Sequence, residues 1–312
     1  MRWPIESPMP RSFLFVPGDS PEKLEKSWNR GADALIFDLE DAVPEPEKST
    51  ARKSVSLALQ VASGQSSYAL VRINGYSTSQ WVDDVRATIS SHVRAFVLPK
   101  CECPEAVATL AALLDSEEKS LRLVPKSISI FAMIESARGL VEIPRIAEVS
   151  RRLQGLVLGG EDYCLDMGVS RTKCGAELQY ARAHLAVQAR AFGCLAIDTI
   201  YSDFGDAEGL RRDTETAKQL GFTGKLAIHP AQLETIHAAF APSDADLVWA
   251  RKVIEAFTVG QTRGSTIVTL DGKMVDPPIV ERARRLLVAA GNVEHGRRAS
   301  RLLKNDPKHR HL

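Results

Sequence analysis

The stretch ALIFDLEDAVPEPEK, residues 34–48, joins a buried strand to a cluster of acids. It begins with an apolar run and then places Asp38, Glu40 and Asp41 where that run ends. Short apolar runs bounded by turn residues are typical of strands in a parallel sheet. Carboxylates crowded at the tip of such a strand repel one another, so we expect a bound cation to offset their charge.

Seven further apolar runs resemble this one and alternate with longer amphipathic stretches. A doubly wound sheet normally contains fewer strands, so eight strands over about 230 residues favour an α/β fold of the (β/α)8 type, a TIM barrel. The eight runs span residues 12–16, 34–39, 68–73, 95–99, 127–134, 153–159, 194–198 and 225–229.

Composition excludes several classes of protein. The chain has 312 residues, 44% hydrophobic and 25% charged, as in ordinary globular proteins. Its net charge of +1 gives no general attraction to nucleic acid or to an anionic membrane. The N-terminal segment has no apolar run long enough for a signal peptide, and the five cysteines form no metal or disulfide pattern. We therefore expect a cytoplasmic enzyme with a small-molecule substrate.

The sequence predicts three segments. Residues 1–240 form the barrel, residues 241–295 form a helix–hairpin–helix lid, and residues 296–312 form a flexible basic tail. The lid contains a hairpin turned at Asp271 and Gly272 between two helical patterns. It is too small to fold alone, so we expect it to pack on the barrel or on a neighbouring subunit.

Polar residues follow every strand from the second to the eighth. Active sites of TIM barrels lie at the carboxyl ends of the strands, so these residues are the candidate site. They are Asp38, Glu40 and Asp41 after strand two, Arg72 and Asn74 with strand three, Lys100 after strand four, Glu135 after strand five, Glu161 and Asp162 after strand six, Asp198 at strand seven and His229 at strand eight.

Glu135 and Asp162 lie at neighbouring strand ends and predict a magnesium site. Mg²⁺ takes one or two protein carboxylates and completes its shell with waters and substrate oxygens. Glu40 and Asp41 would then accept hydrogen bonds from the waters on the metal.

The same acids have structural alternatives. Any of them could cap the helix that follows, and Glu40 and Asp41 could instead pair with Lys48 and Arg52.

Three other residues also have two interpretations each. Arg72 could bind a substrate oxygen and stabilise an enolate, or form an internal salt bridge. Lys100 could form a Schiff base, or pair with a carboxylate. Asp276 precedes Pro277 and a helical pattern, so it is expected to be an N-cap, and from a lid it could also reach into an active site.

Nine motifs follow one another from about residue 11 to 290: RSFLFVPGDSPEKLEK, ALIFDLEDAV, VRING, LPK, AMIESARGL, LGGEDYCLDMG, AIDTIYSDFGD, AIHPAQ and DGKMVDPPIVERA. Taken in this order, they resemble the citrate lyase β subunit and the related malyl-CoA and citramalyl-CoA lyases of the HpcH/HpaI aldolase superfamily. The resemblance implies Mg²⁺-dependent cleavage of a 3-hydroxyacyl thioester, carried by CoA or by an acyl carrier protein, in a homotrimer or hexamer.

The resemblance also assigns roles to residues. It implies Glu135 and Asp162 as metal ligands, Arg72 as the enolate-stabilising residue, Glu40 and Asp41 as partners of the metal's waters, and Asp276 as an acid/base from an adjacent subunit. It implies contacts to the CoA phosphates by Lys23 and Lys26, and we add Gly160 as a substrate contact. Two alternatives stay open: a Schiff-base aldolase using Lys100, and a barrel subunit without catalysis.

Overall fold

Eight parallel strands close into a barrel in the computed structural model, which describes residues 9–62, 64–262 and 265–304. Each strand pairs with the next, and β8 pairs with β1 to close the ring. The predicted (β/α)8 fold is confirmed. The strands are β1 Ser12–Pro17, β2 Ala34–Asp38, β3 Tyr68–Arg72, β4 Val93–Leu98, β5 Ser129–Ile134, β6 Leu153–Leu158, β7 Leu195–Asp198 and β8 Gly224–Ala227.

Helices follow the strands and surround the barrel, and their apolar faces pack on its outer surface. They are α1 Pro21–Ser27, α2 Lys48–Gln60, α3 Trp81–Thr88, α4 Pro104–Ser120, α5 Ala137–Glu148, α6 Gly160–Asp166, α7 Gln179–Phe192, α8 Ala207–Leu220 and α9 Leu233–Phe240.

The strands are buried on both faces, which explains their nearly continuous apolar runs. Side chains at alternate positions form one cluster inside the barrel, including Ile36, Leu70 and Phe131. The intervening side chains, such as Leu35 and Phe37, belong to the larger cluster beneath the helices. Parity along a strand therefore decides whether a residue can reach the barrel interior.

The same alternation decides which polar residues at the strand ends point into the barrel. The inward positions of β2, β3 and β5 continue to Asp38, Arg72 and Glu135, which form the top layer of the interior at the carboxyl end of the barrel, here called the mouth. In β7, Leu195 and Ile197 face inward, so Asp198 faces the helices. The strand-end expectation for Asp198 was wrong for this reason.

From Ala241 the chain forms a second unit. It consists of α10 Asp244–Thr262, the antiparallel strands β9 Val268–Leu270 and β10 Lys273–Val275, and α11 Pro277–Lys304. The turn residues Asp271 and Gly272 have φ of 50° and 73°, as a two-residue hairpin turn requires. In the described residues, no helix is long and apolar enough to cross a bilayer.

Helix α11 runs to Lys304, past residue 296, which is the predicted start of a flexible tail. The segment from 296 to 304 contains no proline, and its alanine, arginine, leucine and lysine residues are strong helix formers. Residues 305–312 of that tail lie outside the described residues.

Candidate active site

Arg72 and Asp38 form a two-point ion pair in the top layer of the barrel. The two residues are register partners on β3 and β2, so their side chains emerge next to each other. Arg72 Nε donates to Asp38 Oδ1 at 2.7 Å, and Arg72 Nη2 donates to Asp38 Oδ2 at 2.6 Å. The Arg72 guanidinium also lies 4.8 Å from the centre of the Phe15 ring. The internal salt bridge that the sequence left open is present, and it fixes the guanidinium plane.

Burial opposes the charged form of Arg72, but the charge and hydrogen bonds of Asp38 outweigh it and raise the pKa of the guanidinium. Arg72 Nη1 lies 3.0 Å from Glu40 Oε2 and 3.6 Å from Asp41 Oδ2. Arg72 therefore remains a cation that faces three acids. We call Asp38, Glu40 and Asp41 the β2 carboxylates.

Lys100 supplies the second cation to this group. Its ammonium donates to Glu40 Oε1 at 2.6 Å and to Asp41 Oδ1 at 3.3 Å. Glu40 is only 5% exposed. Burial raises the pKa of Glu40, and the positive charges of Arg72 and Lys100 oppose that rise. Each β2 carboxylate thus has a cationic partner within the protein itself.

Lys48 and Arg52 do not pair with Glu40 and Asp41. Lys48 Nζ donates to the backbone carbonyls of Leu39 at 2.7 Å and of Glu40 at 2.6 Å. Arg52 Nε donates instead to Asp84 Oδ1 at 2.7 Å. Lys48 therefore holds the backbone that carries Glu40, and this structural alternative for the acids is absent.

Glu135 and Asp162, here called the cleft pair, line one cleft of about 310 Å³ at the mouth. Glu135 is 5% exposed and Asp162 is half-buried. The backbone N–H of Lys100 donates to Glu135 Oε1 at 2.5 Å. The other lining residues are Lys100, Glu102, Ser136, Leu165 and Asp166.

The cleft pair is short of positive charge. Burial raises the pKa of Glu135 to about 8, and the charges of Glu40 and Asp162 add to the rise. The N–H of Lys100 opposes this shift without cancelling it. In this environment a nearby cation would strongly stabilise the ionised form of the carboxylate, which makes Glu135 a candidate metal ligand.

The absence of a side chain at Gly159 provides the space that the Glu135 side chain occupies. A Cβ added at Gly159 would lie 2.6 Å from Glu135 Cβ and would overlap Glu135 Oε2. The following residue is similarly crowded, because a Cβ at Gly160 would lie 2.7 Å from Thr199 Oγ1. The two glycines between β6 and α6 therefore permit close packing against the site.

The donors at the mouth fit a magnesium ion better than a softer metal. In the described residues, no group of three His, Cys, Asp or Glu side chains is arranged to hold a metal by itself. Mg²⁺ does not need such a group, because it keeps waters and binds through one or two carboxylates and substrate oxygens. The two hard oxygen donors of the cleft pair meet that requirement.

Four other residues were selected from the sequence: Lys23, Lys26, Gly160 and Asp276. Lys23 and Lys26 are exposed on α1, and Lys26 pairs with Glu22 at 2.5 Å. The N–H of Gly160 donates to Thr199 Oγ1 at 2.9 Å. Asp276 belongs to the second unit, where its Oδ1 accepts from the N–H of Ile279 at 3.2 Å, so its N-cap interpretation is confirmed.

Two strand-end residues have structural contacts instead. Asp198 is fully buried between β7 and the helices, where it pairs with Arg182 at 2.9 Å and with Lys225 at 2.5 Å. His229 is exposed; its Nδ1 accepts from the N–H of Ala231, and its ring stacks on Phe204 at 5.1 Å.

Sequence patterns predict Asp38 only as one of three acids at the end of β2, and they predict no role for Gly159. Lys48 is expected to pair with a carboxylate, whereas it binds two backbone carbonyls. The inward orientation of Asp38 could have been predicted from strand parity, because Asp38 continues the inward pattern of β2. Tertiary contacts determine the close packing at Gly159 and the binding of Lys48 to two backbone carbonyls. Apart from the pair of adjacent glycines, nothing in the sequence indicates these contacts.

Comparison with known proteins places these features in a family. Residues 11–230 match the family model HpcH/HpaI aldolase/citrate lyase. The citrate lyase subunit beta of Leuconostoc mesenteroides subsp. cremoris is 38% identical over 285 residues, 91% of this chain and 94% of that protein. The (3S)-malyl-CoA thioesterase of Cereibacter sphaeroides is 34% identical over 280 residues, 90% of this chain and 94% of that protein.

A solved structure agrees with this relationship. The protein CitE of Mycobacterium tuberculosis, in complex with magnesium, acetoacetate and coenzyme A, superposes with a TM-score of 0.76 at 31% identity, covering 91% of this chain and 98% of that one. Because the matches extend over most of both chains, this barrel is a member of the HpcH/HpaI aldolase/citrate lyase family.

Proposed function

We propose that this chain is a Mg²⁺-dependent carbon–carbon lyase that cleaves a 3-hydroxyacyl thioester into an acyl thioester and a 2-oxo acid. The observation that carries the proposal is the position of Glu135, a buried carboxylate that lies in the same cleft as Asp162 and interacts electrostatically with the Arg72 guanidinium. The family relationship and the magnesium complex of the CitE structure support it.

The cleavage balances without another reactant. The hydroxyl of the substrate loses its proton to a base and becomes the carbonyl of the 2-oxo acid. The carbon–carbon bond breaks, and its electron pair moves into the thioester to give an enolate. A proton added at the α-carbon then gives the acyl thioester.

The residues at the mouth would divide this work. The cleft pair would hold Mg²⁺, which when bound supplies a Lewis acid for oxygen atoms of the hydroxy-acid end. Arg72 would donate to the thioester oxygen as negative charge develops on it, because Asp38 already fixes its orientation. Asp41 is exposed and would accept hydrogen bonds from waters in the site.

Other parts of the proposal concern four further residues. Asp276 would act as the acid/base from an adjacent subunit of a trimer or hexamer. Lys23 and Lys26 would meet the phosphates of CoA, and Gly160 would contact the substrate. An acyl carrier protein is the other candidate carrier, since a citrate lyase subunit beta is among the relatives.

A Schiff-base mechanism at Lys100 fits the site poorly. Burial disfavours the charged form of this lysine, but Glu40 and Asp41 outweigh that effect and raise its pKa. A Schiff base requires the neutral amine, which this pairing suppresses. Borohydride treatment with a 2-oxo acid should therefore attach no mass to Lys100.

Hydrolysis of the same class of thioester is the second candidate function, and the (3S)-malyl-CoA thioesterase relative is the observation that favours it. Its products would be the free hydroxy acid and CoA, with no 2-oxo acid. A product analysis therefore separates the two functions.

The test is to incubate the purified protein with malyl-CoA and citramalyl-CoA, with and without Mg²⁺, and to quantify the 2-oxo acid and the acyl thioester. We expect both products in equal amounts, only with Mg²⁺, and their loss in Glu135→Gln and Asp162→Asn. Glu102→Gln is the matched control, because Glu102 lines the same cleft without a proposed role. Cleavage that persists after metal removal, or in Glu135→Gln, would contradict the proposal.

A further inference from the structure

Lys100 has an unusual backbone conformation for a residue with a side chain. Its φ is 49°, in the left-handed region, where a Cβ atom is disfavoured. Such conformations persist when the surroundings impose them, and they cluster at functional sites. Lys100 follows β4, between the strand ends that carry the β2 carboxylates and the cleft pair.

This conformation lets Lys100 contact both groups of acids at once. Its backbone N–H donates to Glu135 Oε1 at 2.5 Å, whereas its ammonium donates to Glu40 Oε1 at 2.6 Å and to Asp41 Oδ1 at 3.3 Å. The backbone contact carries no net charge, and Glu135 forms no ion pair with any residue in the described ranges, whereas the side-chain contact compensates the charge of the neighbouring acids.

We infer that Lys100 is a positioning residue that directs the divalent cation to the cleft pair. Its ammonium occupies the position from which Glu40 and Asp41 would otherwise attract the cation. Its N–H holds one oxygen of Glu135 in place while the carboxylate stays available. This inference rests on the magnesium site proposed above.

Electrostatics gives the expected effect of removing the ammonium. Without it, Arg72 alone faces the three β2 carboxylates, so their negative charge is less compensated. Mg²⁺ should then bind more tightly but be drawn toward the wrong acids. Removal of one unit charge from a partly exposed group should increase Mg²⁺ affinity about threefold or more. Turnover should fall at the same time. If Lys100 had a purely structural role, its loss would not lower turnover while Mg²⁺ binding became tighter.

The chain offers a matched control. Lys126 is an exposed lysine with φ of 59°, and its N–H donates to Glu118 Oε2 at 2.7 Å. It precedes β5, at the opposite end of the barrel from the mouth. Lys126→Met therefore removes the same charge from the same backbone conformation, away from the site.

The experiment is calorimetric titration of Mg²⁺ into Lys100→Met, Lys100→Arg and Lys126→Met, with thermal unfolding to confirm that each variant folds. We expect tighter binding only in Lys100→Met, wild-type affinity in Lys100→Arg, and loss of the gain when Glu40→Gln is added to Lys100→Met. Lys100→Gly keeps the N–H without backbone strain and should behave like Lys100→Met.

Two results would overturn the inference alone: Mg²⁺ affinity in Lys100→Met no higher than in Lys126→Met, or a gain that survives Glu40→Gln. Failure of the wild-type protein to bind Mg²⁺ would overturn this inference and the proposed magnesium site together.

Discussion

Replacement of Gly159 by alanine tests whether the position of Glu135 determines metal binding. The added Cβ would lie 2.6 Å from Glu135 Cβ and 3.2 Å from Glu135 Cδ. Carbon atoms in ordinary contact lie about 3.5 Å apart, so the Glu135 side chain has to shift by roughly 1 Å. The backbone accepts alanine, because φ at Gly159 is −93°.

A shift of this size should have a large effect on the site and a smaller one on the fold. Displaced groups around a metal typically cost about 10-fold to 100-fold in affinity, and misplacement by about 1 Å costs a similar factor in rate. Overpacking itself costs about 1–3 kcal/mol of stability. Gly159→Ala should therefore remain folded while its Mg²⁺ affinity falls at least about tenfold.

The measurement is Mg²⁺ titration calorimetry on the wild-type protein, Gly159→Ala and Gly75→Ala, with thermal unfolding of each. Gly75 is the matched control, because an added Cβ there meets only Ser77 Oγ at 4.0 Å. Wild-type Mg²⁺ affinity in a folded Gly159→Ala protein would refute the reasoning, since Glu135 would then either not bind the metal or move freely.

Four further outcomes follow from the charges at the site and beneath the helices. Because the pKa of Glu135 is about 8, Mg²⁺ affinity should rise roughly 50-fold from pH 6 to pH 8, and a flat calorimetric profile would contradict this. Without metal, the same carboxyl should make the free energy of unfolding decrease between pH 4.5 and about pH 8, because the native state holds the proton more tightly; denaturant titration with Glu135→Gln as reference checks it. Arg72→Lys keeps the charge but loses the two-point contact, so kcat/KM should fall about 100-fold or more, and a near-normal value would exclude Arg72 from the chemistry. Arg182→Met removes a cation that pairs with both Asp198 and Asp213, so the free energy of unfolding should fall by about 3–5 kcal/mol. The Mg²⁺ affinity of the folded protein should not change.

The barrel could be predicted from the sequence because its strands are buried on both faces. Each strand then appears in the sequence as an apolar run, which can be identified without knowing the strands that pair with it. The candidate site residues follow from the ends of those runs. Parity would have refined that list, since it separates the inward Asp38 from the outward Asp198.

Pairing between charged groups could not be predicted in the same way. Lys48 was a plausible partner for Glu40 because it lies eight residues later on the next helix, yet its ammonium contacts the Glu40 carbonyl and not the carboxylate. The cation that pairs with Glu40 is Lys100, sixty residues away in sequence. The direction of the backbone decides which of several acids a lysine contacts. At Lys100 that direction follows from a left-handed φ of 49°, which the tertiary structure imposes and the sequence pattern does not indicate.

The distribution of charge at the mouth also constrains the order of binding. The β2 carboxylates and the cleft pair together carry five negative charges when ionised, against the two cations Arg72 and Lys100. A substrate that carries its own carboxylate therefore meets a negative site, and protonation of Glu135 relieves only part of that charge. A divalent cation at the cleft pair displaces that proton and compensates two negative charges, one more than the proton does. Tight binding of an anionic substrate thus requires that the metal bind first or arrive with it.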